Sequence, residues 1–466
     1  MLEITPILQK SKKEPLYVQL YQYIKEEIIS GAIPANSRLP SIRQLHQYLH
    51  VSRNTVEAGY HQLLIEGYVE SKPRSGLFVV DLTSTIPLTQ APPYESRSQQ
   101  VQEASTIDID FRYGTVDSEH FPSSVWRKLT LQFLHSDQQQ LFTYGDPQGE
   151  FDLRQQLATY LHFARGVHCS PDQIVIGAGI QHVIGVLAQL LRNDSTVAIE
   201  DPGYDGVRAV FSNHHLPLIP IPLDDGGMRV DDLMKSNATI AYITPSHQFP
   251  CGMVMPLKRR LQLLEWAQEK DGIIIEDDYD GEFRYVGKPI PALQGLDQHN
   301  KVVYLGSLSK SFLPSLRMGY MILPFPLLAR YKQMFRLFDQ PVPLLSQLTL
   351  TEFMKQGHWD SHIRKMRTIY QKKQAVLIAE IEKSFQNQVE LLGKEAGLHL
   401  LLAIENGMTE EELIEKAVRK RVAVYPVSRH MIEPSTHQKP MIQLGFGGLS
   451  KDQIIDGVNR LKQAWL

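Results

Sequence analysis

A lysine placed among small hydroxylic residues carries the most distinctive chemistry in this sequence. Lys310 stands in the run YLGSLSKSFLPSLRMGY, directly after a strand-like segment, with Ser307 and Ser309 before it and Arg317 after it. Surroundings that favour the neutral amine let a lysine form a Schiff base with a carbonyl compound, while hydroxyls and a guanidinium bind phosphate. The SxSK pattern alone is weak, because most lysines in such a context are simply solvated.

A cluster of carboxylates with a neighbouring tyrosine closes another apolar segment. In GIIIEDDYDGEFRY a buried strand pattern ends in acidic residues and Tyr279, and the carboxyl ends of strands are where α/β sheets build ligand sites. One carboxylate beside a pyridinium nitrogen would keep that nitrogen protonated, and a tyrosine hydroxyl can bond a phenolate oxygen. Taken alone, the segment is also open to interpretation as an acidic loop or a metal-binding group of carboxylates.

Two more segments place suitable groups after strand-like runs. IGAGIQHVIGVLAQLL is typical of a strand, a glycine-containing turn and a helix start. The backbone donors of Ala178, Gly179 and Ile180 can cradle a phosphate there. IEDPGY puts Tyr204 just after another strand, where its ring can stack on a cofactor face.

The elements that must position these residues form a regular alternation. The β-branched runs QIVIGAG, TVAIEDPG, ATIAYITP, GIIIEDD and KVVYLGS are each followed by loop residues and a longer helical stretch. Strands that alternate with helices predict a mostly parallel sheet covered on both faces. After about residue 330 helical patterns dominate, and GLHLLLAI and MIQLGFGG then indicate a smaller α+β subdomain.

The first 80 residues have a different pattern. LPSIRQLHQYLHVSRNTVEAGYHQLLIEGYV predicts a short helix from about Ser41, a turn near His50 and a second helix capped by Ser52. Such a helix-turn-helix presents the first residues of its second helix to the major groove. Arg53 can pair with guanine and Asn54 with adenine, while Ser52 and its neighbour Thr55 can anchor phosphates.

A basic hairpin follows the second helix. YVESKPRSGLFVV alternates like two short strands around a turn, so that Lys72, Arg74 and Ser75 can form a wing over the backbone or minor groove. The predicted DNA-contacting residues are Arg38, Ser41, Arg43, Ser52, Arg53, Asn54, Thr55, Lys72, Arg74, Ser75 and Gly76. From the helix pattern alone, a small helical domain with solvated arginines is the alternative.

Composition gives few constraints on the partner. The 466 residues have a net charge of −3, and residues 1–80 hold nine Lys+Arg against seven Asp+Glu, a weak local excess of +2. No window approaches the ~20 apolar residues of a membrane span, and the start lacks a secretory signal, which predicts a cytoplasmic protein with no membrane partner. Cys169 and Cys251 are too few and too far apart to predict a disulfide framework or a metal site.

A change in composition separates the two patterns. LTSTIPLTQAPPYESRSQQVQEAST replaces apolar periodicity with Pro, Ser, Thr and Gln, as is typical of a linker. We therefore predict a DNA-binding domain over residues 1–81, a linker over 82–106, and an effector and dimerisation domain over 107–466.

The quoted motifs resemble two known families. The run from Pro15 to Val80 is similar to the GntR-family winged helix in LPSIRQLHQYL, VSRNTVEAGYHQLLIEGYV and RSGLFVV. From about Asp110 to Leu466 the chain resembles the class I aminotransferases of fold type I. The combination resembles the MocR/GabR subfamily of GntR-family transcription regulators, which implies pyridoxal 5'-phosphate as cofactor, an operator DNA as partner, and a homodimer that is domain-swapped through the linker.

The resemblance also assigns roles within the cofactor site. It implies Lys310 as the Schiff-base lysine, Asp277 at the pyridine nitrogen and Tyr279 at the phenolic oxygen. The further assignments are Tyr204 stacked on the ring, Arg317 with Ser307 and Ser309 at the phosphate, Arg429 at an effector carboxylate, and Tyr144, in YGDPQG, reaching the neighbouring subunit's phosphate.

Two departures from the family pattern bear on function. In TPSHQFPCG, Phe249 stands where aminotransferases usually carry an asparagine that bonds the cofactor's phenolic oxygen, which argues against efficient transamination. In the γ-aminobutyrate-sensing member an additional arginine lies two residues beyond the stacking tyrosine. That place is Gly206 here, with Arg208 two residues further on, so recognition of γ-aminobutyrate is not carried over.

The leading hypothesis is a DNA-binding regulator that depends on pyridoxal phosphate and senses a small amine or amino acid. An effector that favours one of two arrangements of the DNA readers would act as the switch. The alternatives are an active aminotransferase, complete or limited to a half-reaction, with an accessory DNA-binding domain, and a sensor of the B6 vitamer itself.

Overall fold

The computed structural model describes most of the chain. The described residues are 4–6, 8–9, 14–81, 107–135, 139–192, 194–287, 290–432 and 439–466. They belong to two compact units, Met1–Gln102 and Glu103–Leu466. The predicted linker, residues 82–106, lies outside the described residues, and the predicted domain bounds stay a prediction. Within the described residues, no helix combines the length and apolar composition needed to cross a bilayer.

The smaller unit is a winged helix-turn-helix, as predicted. Its elements are α1 (Leu16–Ile29), α2 (Ile42–Leu49), α3 (Arg53–Ile65), β1 (Val69–Lys72) and β2 (Gly76–Val79). Leu20, Ile24 and Ile28 recur at helical spacing on α1, and all three are buried in one apolar cluster with residues of α3. His50 adopts the left-handed conformation (φ +53°) and so ends α2 one turn before α3 begins.

The wing is a short antiparallel hairpin with an additional extended segment beside it. β1 and β2 pair from Val69 opposite Val79 to Lys72 opposite Gly76. The N–H of Leu39 donates to the Leu77 carbonyl at 2.9 Å, which holds the segment before α2 along β2. This pairing fixes the wing to the recognition unit through backbone hydrogen bonds.

The larger unit contains helices and strands in alternation, then a mainly helical part. Its helices are α4 (Ser123–His135), α5 (Phe151–Arg165), α6 (Ile180–Leu190), α7 (Asp205–Asn213), α8 (Val230–Lys235), α9 (Leu257–Glu269), α10 (Leu308–Ser311), α11 (Phe325–Met334), α12 (Leu344–Lys355), α13 (His358–Phe385), α14 (Glu410–Arg419) and α15 (Lys451–Trp465). Its strands are β3 (Ile109–Asp110), β4 (Ile174–Gly177), β5 (Val197–Asp201), β6 (Leu218–Asp224), β7 (Gly227–Met228), β8 (Ile240–Ile243), β9 (Ile273–Asp278), β10 (Val302–Ser307), β11 (Gly319–Ile322), β12 (Val389–Leu392), β13 (His399–Ile404), β14 (Val422–Ala423), β15 (Tyr425–Pro426) and β16 (Met441–Gly445).

An eight-stranded sheet forms the centre of this unit. Its strand order is β4-β11-β10-β9-β8-β5-β6-β7, and the neighbours from β10 to β6 are all parallel. β11 runs antiparallel to both of its neighbours, and β7 runs antiparallel to β6. The mostly parallel sheet predicted from the apolar runs is therefore confirmed. Strands β4, β8 and β10 are buried on both faces, as their continuous apolar sequences require, whereas β6 is partly exposed.

The smaller α+β subdomain is also confirmed. Its antiparallel sheet has the order β12-β13-β16-β15, and α13, α14 and α15 contribute to the apolar cluster on it. β3 pairs in parallel with β14, so the beginning of the described large unit joins this subdomain. Residues just after β3 are thereby brought from far away in the sequence to the rim of the central sheet.

Candidate functional site

A cavity of about 530 Å³ lies where the parallel strands β5, β8, β9 and β10 end. Parallel strands share one edge for their carboxyl ends, which is where such sheets build ligand sites. The cavity is lined by Arg112, Tyr113, Ile180, Gln181, Tyr204, Asp205, Thr244, Phe249, Asp277, Tyr279, Ser307, Ser309, Lys310, Arg317, Tyr425, Arg429, His430 and Gln443.

Lys310 enters the cavity from the single turn of α10, directly after β10. Its Nζ lies 3.9 Å from the centre of the Tyr113 ring. Burial lowers the pKa of Lys310 to about 8, although the charge of Asp280 opposes the shift. A Cβ added at Gly114 (φ +110°) would lie 2.8 Å from Nζ. The absence of a side chain at Gly114 therefore provides the space for the amine. The lysine is thus a buried amine with a substantial neutral fraction near neutral pH.

The two consecutive aspartates of β9 point to opposite faces of the sheet. Asp277 lines the cavity and accepts a hydrogen bond from the Tyr242 hydroxyl. Asp278 faces away and accepts from Arg165 Nε at 2.6 Å and from the Tyr304 hydroxyl at 2.7 Å. Strand alternation therefore makes Asp277 the carboxylate that can meet a ligand, while Asp278 is tied into a buried ion pair.

Asp277 has one oxygen that is not used by the protein. Among the described residues its Oδ1 is buried and has no hydrogen-bond partner. Burial raises the pKa of this carboxyl to about 7, although the hydrogen bond from Tyr242 opposes the shift. A buried acceptor without a donor is costly, and a protonated ring nitrogen would satisfy it.

Tyr279 also lines the cavity, and its hydroxyl contacts a histidine. Tyr279 Oη lies 3.0 Å from His247 Nδ1, and the same nitrogen lies 3.0 Å from Asp280 Oδ2. His247 and Asp280 are buried behind the cavity wall and form one polar group with Tyr279. His247, from the TPSHQFPCG loop, therefore orients the tyrosine predicted at the phenolic oxygen.

The predicted phosphate-binding groups converge at one end of the cavity. Ser307 and Ser309 line it beside Lys310, and the Ser307 hydroxyl accepts from the Ser309 N–H at 3.2 Å. Arg317 lines it as well, and a Cβ added at Gly179 would lie 2.6 Å from its guanidinium. Gly179 caps α6, whose first-turn amide at Ile180 meets the cavity. A cation, two hydroxyls and a helix start together suit a phosphate.

Three predicted cofactor residues, Ala178, Gly179 and Tyr144, are not among those that line this cavity. Gly179 lies directly before Ile180, at the start of α6. Ala178 packs with the apolar cluster that contains Phe312 and Met318. Tyr144 is 84% exposed on the surface. Its predicted role, at the phosphate of a second subunit, cannot involve the cavity of its own chain and stays a prediction.

A group of aromatic rings forms another part of the cavity wall. Tyr204 caps α7 and its ring centre lies 5.7 Å from that of Phe249 in an edge-on arrangement. Phe249 is buried and also packs 5.2 Å from the Tyr113 ring and 4.8 Å from the His430 ring. A Cβ added at Gly206 would lie 2.6 Å from Tyr204 Cζ. The space of a side chain at 206 is thus taken by the tyrosine ring.

Arg429 lines the cavity, but its guanidinium already has an acidic neighbour. Asp205, the first residue of α7, accepts from Arg429 Nη2 at 2.8 Å and from Nε at 3.2 Å. His430 Nδ1 lies 3.4 Å from the other Asp205 oxygen. Arg208 donates to the carbonyls of Met431 (2.7 Å) and Arg429 (3.1 Å), which fixes this loop from outside the cavity.

Sequence reasoning missed several cavity residues. Arg112 follows β3 and donates from Nε to the Tyr425 hydroxyl at 3.0 Å. Gln443, from β16, is buried in the wall, and among the described residues its amide nitrogen has no partner. The sequence does mark both positions as unusual. RYG interrupts an apolar pattern at Arg112, and Gln443 is a polar residue inside the apolar run MIQLGFGG. Neither position could be connected with Lys310 before the subdomain was placed.

The predicted major-groove residues lie at the exposed start of α3. Arg53 and Asn54 are exposed, and neither is drawn into the core. Ser52 caps the helix by accepting from the Thr55 N–H at 3.1 Å, and the two hydroxyls lie 2.7 Å apart. Ser41 caps α2 in the same manner with Gln44. The two serine hydroxyls thus fix the helix starts in addition to any phosphate contact.

The wing brings a second group of predicted residues together. Arg74 adopts the left-handed conformation (φ +62°) at the turn, beside exposed Ser75. A Cβ at Gly76 would lie 3.3 Å from Arg38 Nε, so Arg38 lies against the wing. Lys72 lies 3.1 Å from Glu70 and 4.8 Å from the centre of the Phe78 ring. Arg43, on α2, is exposed.

The cavity residues fit pyridoxal phosphate. Pyridoxal phosphate needs an amine with a lowered pKa, an acceptor for its ring nitrogen, and a binding site for its phosphate. Lys310 offers the first, the unsatisfied oxygen of Asp277 the second, and the Arg317 side chain beside the start of α6 the third.

Comparison with known proteins supports the family predicted for each of the two units of the chain. Residues 107–438 match the family "Aminotransferase class I and II", and residues 16–79 match "Bacterial regulatory proteins, gntR family". The larger unit is similar to the crystal structure of kynurenine aminotransferase from Pyrococcus horikoshii, with 26% identity and a TM-score of 0.70. That similarity covers 77% of this chain and 90% of the other.

Two curated relatives are similar over nearly their whole length. The uncharacterized HTH-type transcriptional regulator YdeL of Bacillus subtilis (strain 168) is 44% identical over 465 residues, covering 100% of both chains. The probable rhizopine catabolism regulatory protein MocR of Rhizobium meliloti is 31% identical over 473 residues, covering 99% of this chain and 96% of the relative.

Proposed function

The chain belongs to the MocR/GabR subfamily of GntR-family transcription regulators, and from this premise we propose that it binds pyridoxal phosphate on Lys310 and senses an amine effector. The single observation that carries the proposal is the arrangement of Lys310 and Asp277. An amine with a pKa of about 8 faces the same cavity as a buried carboxylate with an unused oxygen. Without a bound cofactor, neither the lowered pKa of Lys310 nor the unpartnered oxygen of Asp277 would contribute to the stability of the fold.

Each cavity residue then has a defined task. Pyridoxal phosphate supplies an aldehyde carbon that reacts with primary amines and a ring that withdraws electrons. Lys310 offers its neutral amine from the end of β10. Asp277 holds a proton at the ring nitrogen through Oδ1, and Tyr242 keeps that carboxylate in place. Tyr204 and Phe249 exclude water from one side of the cavity.

The environment of the phenolic oxygen favours sensing over turnover. Phe249 fills with an aromatic ring the place where aminotransferases usually offer an amide donor, and it packs on Tyr113, Tyr204 and His430. Tyr279, oriented by His247, would then be the predicted donor to that oxygen. Weaker polarisation slows proton transfer, while amine binding needs only the lysine and the phosphate cradle.

A homodimer is the assembly we propose. Phe142 is 91% exposed and Tyr144 84% exposed, and further large apolar side chains of this unit reach solvent at Leu134, Leu337 and Phe338. Exposed apolar side chains of this size mark interaction surfaces when they cluster. A second copy would also give Tyr144 a ligand to contact. Two readers in one dimer would address two half-sites on operator DNA.

The experiment is an absorbance spectrum of the purified full-length protein before and after borohydride, with peptide mapping. We expect the cofactor mass to be fixed on the peptide that contains Lys310. Lys310→Ala must abolish this fixation. The same protein is then titrated with operator DNA, with and without cofactor and with a panel of amines.

Four outcomes of these experiments, combined with an assay for turnover of an amine with a keto acid, separate the hypotheses. DNA affinity that changes only with amine and cofactor together supports the proposal. A change with cofactor alone would make the B6 vitamer the signal, and steady turnover of an amine with a keto acid would make the protein an aminotransferase. No cofactor uptake at all would overturn the cofactor-dependent function.

A further inference from the structure

The ion pair between Asp205 and Arg429 places opposite charges next to each other in the wall of the effector cavity. We propose that this pair recognises the zwitterionic end of an α-amino acid that carries a second, terminal amine. The effector's carboxylate would contact Arg429 and its α-ammonium would contact Asp205, while the terminal amine lies toward Lys310. This inference rests on the proposed function, because it specifies the class of effector for the same cavity.

Both members of the pair face the cavity and remain accessible. Their side chains are 24% (Asp205) and 50% (Arg429) exposed, and both line the cavity. Asp205 accepts from Nε and Nη2 of Arg429, and within the part of the chain that the structure describes, Nη1 has no hydrogen bond. Burial opposes ionisation of Asp205, but the neighbouring His430 ring and the hydrogen bonds from Arg429 hold its pKa below the ordinary range. The acid is therefore charged at neutral pH.

A simple carboxylate is a poor match for this wall. If it takes over the contacts of Arg429, it leaves half-buried Asp205 with the Gly206 N–H at 3.1 Å and the nearby His430 ring as its neighbours. If it binds instead at Nη1, it lies next to the Asp205 carboxylate and is repelled. Either arrangement leaves one of the two carboxylates in this partly desolvated place without a guanidinium of its own, which is costly.

A diamine is the opposite mismatch. Its ammonium group can approach Asp205, but it must compete with Arg429 and leaves that guanidinium without a counter-charge. A zwitterion provides both charges, so the ion pair can open without leaving either partner unpaired. The pair thus selects against ligands that carry only one of the two groups.

The backbone around the pair keeps the two charges in place. Arg208 donates to two carbonyls of the Arg429 loop, and the Gly203 N–H donates to the His430 carbonyl at 3.0 Å. The pair therefore belongs to a fixed part of the wall, as selective recognition requires.

The test compares ligands that differ by one group each. Full-length protein loaded with pyridoxal phosphate and freed of excess cofactor is titrated calorimetrically with ornithine, 5-aminopentanoate and 1,4-diaminobutane. 5-Aminopentanoate lacks the α-amine of ornithine, and the diamine lacks its carboxylate. We expect ornithine to bind at least about tenfold more tightly than either, since each comparison removes one charge-assisted contact.

Asp205→Asn provides the residue-level test. This variant should reduce the affinity for ornithine about tenfold and leave that for 5-aminopentanoate unchanged or improved. Asp225→Asn, in the exposed turn between β6 and β7, is the matched control for loss of one acidic charge and should change neither value.

The outcomes distinguish this inference from the function on which it rests. Cofactor loading with equal affinities for the three ligands in the wild-type protein overturns the inference alone, whether or not the variants fold. Failure of the protein to load the cofactor overturns the proposed function and this inference with it.

Discussion

The DNA-reading surface and the cofactor cavity use charge in opposite ways. Arg53 and Arg74 are exposed, and their positions depend on the local geometry of one helix start and one turn. Asp277 and Asp278 are buried and Lys310 is half-buried, and each contacts residues from distant parts of the chain. The surface can therefore change residue by residue, whereas the cavity is a coupled network in which one substitution affects both binding and folding.

The sharpest test of this contrast lies within β9. Asp278→Ala leaves Arg165 buried without its counter-charge, and removal of one partner of a buried pair costs about 3–5 kcal/mol. We expect the free energy of unfolding to fall by that amount in urea denaturation of the cofactor-free protein.

The neighbouring residue is the control. Asp277→Ala removes a carboxyl with a pKa of about 7 and one hydrogen bond from Tyr242, which should cost no more than about 2 kcal/mol. Its main effect should be weaker retention of pyridoxal phosphate. Equal effects of the two substitutions on the free energy of unfolding and on cofactor retention would contradict the assignment of a structural role to Asp278 and a ligand-binding role to Asp277.

The second prediction concerns the pH dependence of Lys310. Its pKa is lowered from 10.5 to about 8, so the neutral amine predominates above pH 8 and is ~300-fold more abundant at pH 7 than for an ordinary lysine. The rate at which cofactor-free protein captures pyridoxal phosphate should rise with pH and level off just above 8. Stopped-flow absorbance measures this rate, and an increase that continues to pH 10 would contradict burial as the cause.

A smaller effect is expected at the DNA-reading surface. Arg53→Ala should weaken binding to the operator by about 1–3 kcal/mol and relax base preference at one position, because Arg53 is predicted to read a base edge. Its free energy of unfolding should stay within about 0.5 kcal/mol of wild type, since the side chain is exposed. Competition binding with single-base operator variants measures the specificity, and unchanged base preference would remove Arg53 from the reading set.

The smallest effect is expected at Lys72. Glu70 already lies 3.1 Å from its amine, which reduces the positive charge available to a phosphate. Lys72→Ala should weaken operator and random DNA alike and reduce the slope of log affinity against log salt by about 1. Fluorescence anisotropy at several salt concentrations tests this, and a loss confined to the operator would assign Lys72 to base reading instead.

The sequence was sufficient to predict those functional features that depend on residues close together in the chain. The capped start of α3, the basic turn of the wing and the strand that contains Asp277 could all be predicted, because each is set by neighbours in sequence. Strand periodicity also explains the choice between Asp277 and Asp278, since only one of two adjacent residues can face the cavity.

The remaining cavity residues depend on long-range packing. Arg112 reaches the cavity because β3 pairs with β14, and Gln443 because β16 lies beside β15. Arg429 was predicted to contact an effector carboxylate. Its ion pair with Asp205 could not be predicted, because the two residues are 224 positions apart in sequence. No local pattern records such a contact.

Gly206 restricts how this protein can diversify. The ring of Tyr204 occupies the place where any side chain at 206 would begin. An arginine introduced there would require the Tyr204 ring to shift, so this exchange would alter the cavity wall as well as add a charge. New specificities in this lineage are therefore more accessible through Asp205, whose side chain already meets the cavity and can be exchanged in a single step.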